Sequence, residues 1–80
     1  MTVTVRLFAV YAEKFGKSQL DVDLEEGATV ADVLRGLEKF SGSSALPPSP
    51  LVAVNCVYAT AATPVSDGDE VAIIPPVAGG

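Results

Sequence analysis

The hydrophobic pattern of this chain changes its period along the sequence, and the order of these changes restricts the fold more than any other feature. Residues 2–10, TVTVRLFAV, and residues 19–26, QLDVDLEE, alternate apolar and polar side chains as strands do. Residues 29–40, TVADVLRGLEKF, place apolar side chains three and four positions apart, as an amphipathic helix does. Residues 51–59 and 70–75 are again apolar and rich in β-branched residues. The predicted order is strand, strand, helix, strand, strand.

Boundary signals separate these segments. Residues 11–18 carry turn signals with room for one helical turn, and residues 41–50, SGSSALPPSP, form a polar loop with prolines. Gly27 ends the second strand, and Thr29 with Asp32 resembles a capping box at the start of the helix.

The segment LVAVNCVYA, residues 51–59, is almost continuously apolar. Such a run predicts one strand in the centre of a sheet. Within that strand, Cys56 is expected to be buried and to behave as a small hydrophobic residue.

One helix packed across one face of a mixed sheet would bury all of these apolar stripes. A right-handed crossover from the second strand through the helix allows a parallel strand pair. The sequence therefore predicts an α+β fold of the β-grasp, ubiquitin-like type over residues 1–74. Residues 75–80 are expected to form an extended, flexible tail.

Composition excludes several classes of function. Eighty residues allow a single domain, and a net charge of −5 argues against nucleic-acid binding, which needs a cationic surface. One cysteine and no histidine exclude the usual zinc and iron–sulfur sites. The carboxylates at positions 21, 23 and 25 alternate on one strand face, which is typical of a solvated face rather than a metal site. Since neither a signal peptide nor a membrane span is recognisable, we expect a cytoplasmic protein.

The last residues, PPVAGG, are unusual for a chain end. Pro75 and Pro76 lack backbone N–H donors, stop sheet pairing and favour an extended conformation. Gly79 and Gly80 have no Cβ, so a terminal carboxylate can enter a channel too narrow for a side chain. Six extended residues reach roughly 20 Å. We therefore expect a functional tail rather than a frayed terminus.

Residues 67–80, DGDEVAIIPPVAGG, resemble the C-terminal signature of the small subunit of molybdopterin synthase, a ubiquitin-like sulfur carrier. The resemblance extends to the opening VRLFA, to the helix TVADVLRGL and to VAVN in the later strand. The final fourteen residues are its specific part, because the others fit many β-grasp proteins.

The resemblance implies a mechanism in which the Gly80 carboxylate is adenylated by an ATP-using activating enzyme of the ubiquitin E1 type. A sulfur donor then converts it to a thiocarboxylate. The charged carrier binds the large, catalytic subunit in a heterotetrameric synthase and donates sulfur for the dithiolene of molybdopterin. On this view the chain binds no cofactor and has no catalytic side chain, while Gly79 gives the tail access to the active site.

The same family binds partners through an apolar patch on the uncovered sheet face, and the matching positions here are Phe8, Tyr58 and Ile74. Alternation along the strands independently turns Phe8 and Ile74 away from the core. Tyr58 stands where an aliphatic residue is common, and Ala78 where Ser or Thr is frequent. The resemblance also assigns partner contacts to the tail residues Pro75, Pro76, Val77 and Ala78.

Three alternatives remain open at this point. The sulfur carrier of thiamine thiazole synthesis shares the fold and the Gly-Gly end. A protein modifier would use the same activated Gly80 to form an isopeptide bond, and an interaction module would leave the tail idle. In every case Asp67, Asp69 and Glu70 precede the tail, so we expect partners to present basic residues near the tail entrance.

Overall fold

The computed structural model describes residues 1–76, which form five strands, two α-helices and one 3-10 turn. The elements in chain order are β1 (Thr2–Leu7), α1 (Ala9–Phe15), β2 (Gln19–Asp23), α2 (Val30–Leu37), the 3-10 turn (Ser43–Ala45), β3 (Leu51–Val54), β4 (Val57–Ala59) and β5 (Glu70–Ile74). The predicted tail positions Val77, Ala78, Gly79 and Gly80 lie outside the described residues.

The strands form one mixed sheet in the order β2-β1-β5-β3-β4. β1 and β5 are parallel, with Thr4 opposite Glu70 and Leu7 opposite Ile73. The other neighbouring pairs are antiparallel. A mixed sheet with a main helix packed on one face confirms the predicted β-grasp fold.

The core lies between this sheet and the helices. The inward positions of β1 and β5 are fully buried, as their alternation predicted, and α2 contributes the apolar stripe that covers them. These core residues are Val3, Val5, Leu7, Val71 and Ile73 from the strands, and Val30, Val33 and Leu37 from α2. Each such side chain contributes about 1.5–3 kcal/mol by leaving water.

The start of α2 is fixed by the predicted capping box. The Asp32 carboxylate accepts the backbone N–H of Thr29 at 2.9 Å, which satisfies a donor that the helix itself leaves unpaired. Further along, a Cβ on Gly36 would lie 2.8 Å from Cγ1 of Val22. The missing side chain therefore lets α2 approach β2 closely.

The prediction for residues 51–59 was wrong in three respects. The run is broken into β3 and β4 by a two-residue turn, in which Asn55 and Cys56 have φ angles of 49° and 71°. Asn tolerates this left-handed conformation, and such turns match the twist of a hairpin. β4 is consequently an edge strand, β5 occupies the centre of the sheet, and Cys56 is exposed rather than buried.

The first strand is shorter than predicted, and residues 9–15 form a full α-helix instead of a single turn. Tyr11 and Phe15, four positions apart, lie on the buried side of α1 and anchor it to the core. Gly16 ends the helix with φ 78°. Within the described residues, neither α1 nor α2 has the length and apolar character needed to cross a membrane.

Candidate docking face and tail base

The face of the sheet opposite α2 carries no helix, and strand register arranges its side chains in rows. One row runs across four strands through Arg6, Ala72, Ala53 and Tyr58. The next row, toward the C-terminal end of β5, pairs Ile74 with Leu51. We call this surface the open face.

Large apolar side chains on the open face form what we call the apolar patch: Phe8, Leu51, Tyr58 and Ile74. Tyr58 is 71% exposed, Leu51 48% and Phe8 40%, and Ile74 is half-buried. Single exposed apolar residues are common, but a group of them on one sheet face indicates an interaction surface.

Phe8 reaches the open face although it lies beyond the end of β1. Its backbone is still extended, with φ −126° and ψ 155°, and the chain turns only at Ala9, where φ is 48°. The guanidinium carbon of Arg6, two residues earlier on the same face, lies 5.8 Å from the centroid of the Phe8 ring. The alternation of β1 therefore continues through Phe8.

The structure places the predicted docking residues Phe8, Tyr58 and Ile74 on this one face. Leu51 was missed by sequence reasoning because residues 51–59 were predicted to form one central strand and the resemblance supplied only Phe8, Tyr58 and Ile74 as patch positions. Its signal was present, since strand alternation in LVAV turns Leu51 away from the buried Val52.

The tail begins at the apolar patch. Ile74 is both a member of the patch and the last residue of β5. Pro75, which follows it, is half-buried, and Pro76 is exposed. The chain therefore leaves the sheet beside Leu51, the register partner of Ile74. The further candidate residues Val77, Ala78, Gly79 and Gly80 lie outside the described residues.

Acidic side chains occupy the other end of the open face, and this corrects the expectation that they lie near the tail. Because β5 runs from Glu70 to Ile74, Asp67, Asp69 and Glu70 lie at the end that the tail does not leave. Glu70 and Ile74 are four residues apart along β5, which places them about 13 Å from each other. The acidic residues are close to the tail in sequence but not in space, because the length of β5 lies between them.

Asp69 holds the β3–β4 turn in place. Its carboxylate accepts Nδ2–H of Asn55 at 3.0 Å and the backbone N–H of Ser66 at 2.7 Å. These hydrogen bonds, with that from Asn55 the largest influence, lower the pKa of Asp69 below its ordinary value of 3.8. Oδ1 of Asn55 in turn accepts the backbone N–H of Glu70 at 3.0 Å. The turn that carries Cys56 is thereby tied to the start of β5.

No three carboxylate or thiol groups among residues 1–76 lie close enough together to hold a metal ion. The described residues present an apolar patch, acidic side chains at the other end of the same face and a chain that leaves the sheet beside the patch.

A β-grasp domain with an apolar patch on its open face, beside which a proline-bearing segment leaves the central strand, has the architecture of the ubiquitin-like proteins. A sequence profile of the ThiS family matches residues 5–80. The chain belongs to the ThiS family, and the resemblance to ubiquitin-like sulfur carriers seen in the sequence is confirmed.

Individual relatives of two kinds resemble this chain. Small archaeal modifier protein 3 of Haloferax volcanii is 35% identical in an alignment of 92 positions, which includes gaps and covers all of both chains. The crystal structure of small archaeal modifier protein 1 from the same organism matches with a TM-score of 0.87, 29% identity and full coverage of both chains. The putative molybdopterin converting factor subunit 1 of Pyrococcus furiosus gives a TM-score of 0.82 at 27% identity, covering 95% of this chain and 98% of its own.

Proposed function

We propose that this chain is the sulfur-carrier subunit of a molybdopterin synthase. The observation that carries the proposal is the double position of Ile74, which belongs to the apolar patch and ends the strand from which the tail departs. A partner that covers the patch is consequently within reach of the tail. The signature at residues 67–80 and the likeness to the Pyrococcus furiosus protein favour molybdopterin synthase as the destination.

In this proposal Gly80 is the reacting residue. An activating enzyme transfers AMP from ATP to the Gly80 carboxylate and releases pyrophosphate. Sulfur from a donor displaces AMP and leaves a thiocarboxylate. Activation is needed because a free carboxylate is a poor electrophile.

The charged chain then docks on the large synthase subunit, and the tail enters that subunit's active site. The thiocarboxylate sulfur bonds to a carbon of a cyclic pyranopterin precursor in place of an oxygen substituent. Water then cleaves the acyl–sulfur bond, which leaves the sulfur on the precursor and restores the Gly80 carboxylate. A sulfur atom on a tethered tail acts at high effective concentration, so the carrier contributes proximity and docking rather than a catalytic side chain.

The proposal is tested by incubating the chain that ends at Gly80 with its activating enzyme, ATP and a sulfur donor. We expect the mass of the C-terminal peptide to rise by the exchange of one oxygen for one sulfur. Addition of the large subunit and the precursor should then yield molybdopterin. Thiocarboxylate formation without molybdopterin would contradict the synthase assignment while leaving the carrier function intact.

A second candidate is a protein modifier, which the 35% identity to a small archaeal modifier protein favours. In that case Gly80 forms an isopeptide bond with a lysine of another protein. Intact-mass analysis of the chain purified from its own cells separates the two candidates, because a carrier gains sulfur whereas a modifier appears in larger, lysine-linked species. The cytoplasmic location expected from the sequence stays a prediction for both.

A further inference from the structure

Charge is distributed unevenly along the strand direction of the open face. Five acidic residues lie on the open face or in the loop before β5, at the end that the tail does not leave: Asp21, Asp23, Asp67, Asp69 and Glu70. We call these five residues the acidic end. Strand register explains the grouping, because antiparallel pairing sets Asp23 opposite Thr2 and parallel pairing sets Glu70 opposite Thr4.

Two of the chain's five basic residues, Lys14 and Lys17, lie toward the other end of the sheet. Lys14 is in the last turn of α1, and Lys17 immediately precedes Ser18, whose carbonyl accepts the backbone N–H of Leu7. Both lysines are exposed. Arg6 lies between the two ends, where its Nη1 atom is 3.2 Å from Oε2 of Glu70. Along the axis on which the tail departs, the open face therefore passes from the acidic end, through Arg6, to the apolar patch.

We infer that the open face receives a partner protein whose apolar docking surface carries lysine or arginine side chains opposite the acidic end. These basic side chains lie about 13 Å from the place where the tail leaves the sheet, because that is the length of strand between Glu70 and Ile74. The inference rests on the proposed function, since it concerns the orientation in which an activating enzyme or synthase subunit holds the carrier.

The acidic end is expected to orient the carrier relative to its partner before the two surfaces touch. Charges at the rim of an interface mainly raise the association rate and suppress wrong orientations, whereas buried anchors set the lifetime of the complex. A carrier with an acidic end is turned by a basic partner so that this end docks on the partner's basic side chains. The tail is thereby directed toward the opposite side of the partner's docking surface.

The test measures association of the full chain with its activating enzyme by stopped-flow at low and high salt. The variant Asp21→Asn/Asp23→Asn removes two charges from the acidic end. Asparagine retains an Oδ1 acceptor for the hydroxyls of Thr2 and Thr4, which donate at 2.7 and 3.2 Å to Asp23 and Asp21. Thermal unfolding should therefore change little.

The matched control, Glu13→Gln/Glu38→Gln, removes the same charge from exposed positions in α1 and at the end of α2. We expect the acidic-end variant to associate roughly three- to tenfold more slowly than the parent at about 20 mM salt. The control should remain near the parent rate, and all three rates should converge at about 500 mM salt.

Equal rates for the acidic-end variant and its control would overturn the inference, because only total charge would then matter. The proposed function has a separate readout: thiocarboxylate formation by the parent, which that result leaves untouched. The other possible occupant of the face is a second copy of this chain. A dimer of the parent in sedimentation equilibrium that Ile74→Asp dissociates would also overturn the inference.

Discussion

The guanidinium carbon of Arg6 lies 5.8 Å from the centroid of the Phe8 ring. This distance is within the range of cation–π attraction, which contributes about 0.5–1 kcal/mol at exposed sites. The same guanidinium lies 3.2 Å from Glu70, so one side chain connects the apolar patch with the acidic end. Both side chains of that ion pair are about half exposed, so it adds little to the free energy of unfolding. Its effect is to hold the Arg6 side chain in this orientation.

Phe8→Ala and Tyr58→Ala should each weaken binding of the carrier to the large synthase subunit. Both side chains are exposed on the open face, and loss of an aromatic anchor in an interface costs about 2 kcal/mol or more, which is roughly thirtyfold in Kd. Calorimetry with the purified large subunit measures the change.

Val57→Ala is the control for these two substitutions. Val57 is 68% exposed, but its register partner is Val54, so it belongs to the side of the sheet opposite Tyr58. It should bind like the parent. If all three variants lose affinity alike, docking does not occur specifically through the open face.

Much of this arrangement could be predicted from the sequence because it depends on local periodicity. A few neighbouring residues are enough to show the alternation of β1, β2 and β5 and the apolar stripe of α2. The same is true of the capping box at Thr29. The alternation that turns Phe8 and Ile74 outward belongs to the same class of signal.

What could not be predicted depends on pairing between distant segments. The break at Asn55 requires hydrogen bonds to Asp69 and Glu70, which are 14 and 15 residues away. The neighbour of Ile74 on the open face, Leu51, follows from the β3–β5 register, and the location of the acidic end follows from the direction of β5.

Gly42→Ala should be among the most destabilising single substitutions in a loop of this chain. Gly42 has a φ of 97°, and an added Cβ would lie 2.1 Å from the carbonyl oxygen of Lys14, a backbone atom that cannot move aside easily. Gly16→Ala is the matched control, because Gly16 has a φ of 78° with no atom within 4 Å of the added Cβ.

The left-handed backbone alone costs about 1–2 kcal/mol in either variant. Steric overlap should add about 1–3 kcal/mol for Gly42→Ala only. Urea denaturation measures both free energies of unfolding. Equal losses in the two variants would show that the 3-10 turn moves away from α1 without cost.

Deletion of Gly80, or addition of one residue after it, should abolish molybdopterin formation while leaving docking unchanged. Either change moves the terminal carboxylate by about 3.5 Å, and a misplacement of about 1 Å can cost roughly a hundredfold in rate. Gly79→Val should act similarly by blocking access. Each carrier is assayed with reconstituted synthase after mass spectrometry has established its thiocarboxylation. Sulfur transfer at the parent rate by the shortened chain would refute the tail as the carrier.

Asp69→Asn should reduce stability near neutral pH and make the chain less sensitive to acid. The carboxylate accepts hydrogen bonds from Asn55 and from the backbone of Ser66 through its two oxygens, and an amide can reproduce only one of these bonds. The pKa of Asp69 is lowered in the folded state, mainly by the hydrogen bond from Asn55. Its contribution is therefore fully present above the ordinary value of 3.8 and is lost as the pH falls through the lower, folded pKa.

The free energies of unfolding of parent and variant should consequently differ at about pH 7 and converge as the pH falls through the lowered, folded pKa of Asp69. Glu26→Gln is the control for charge, because it removes one carboxylate from an exposed position outside this turn. Urea denaturation across the pH range measures all three proteins. A gap between parent and Asp69→Asn that stays constant down to the lowest pH would show that the charge of Asp69 does not hold the β3–β4 turn to β5.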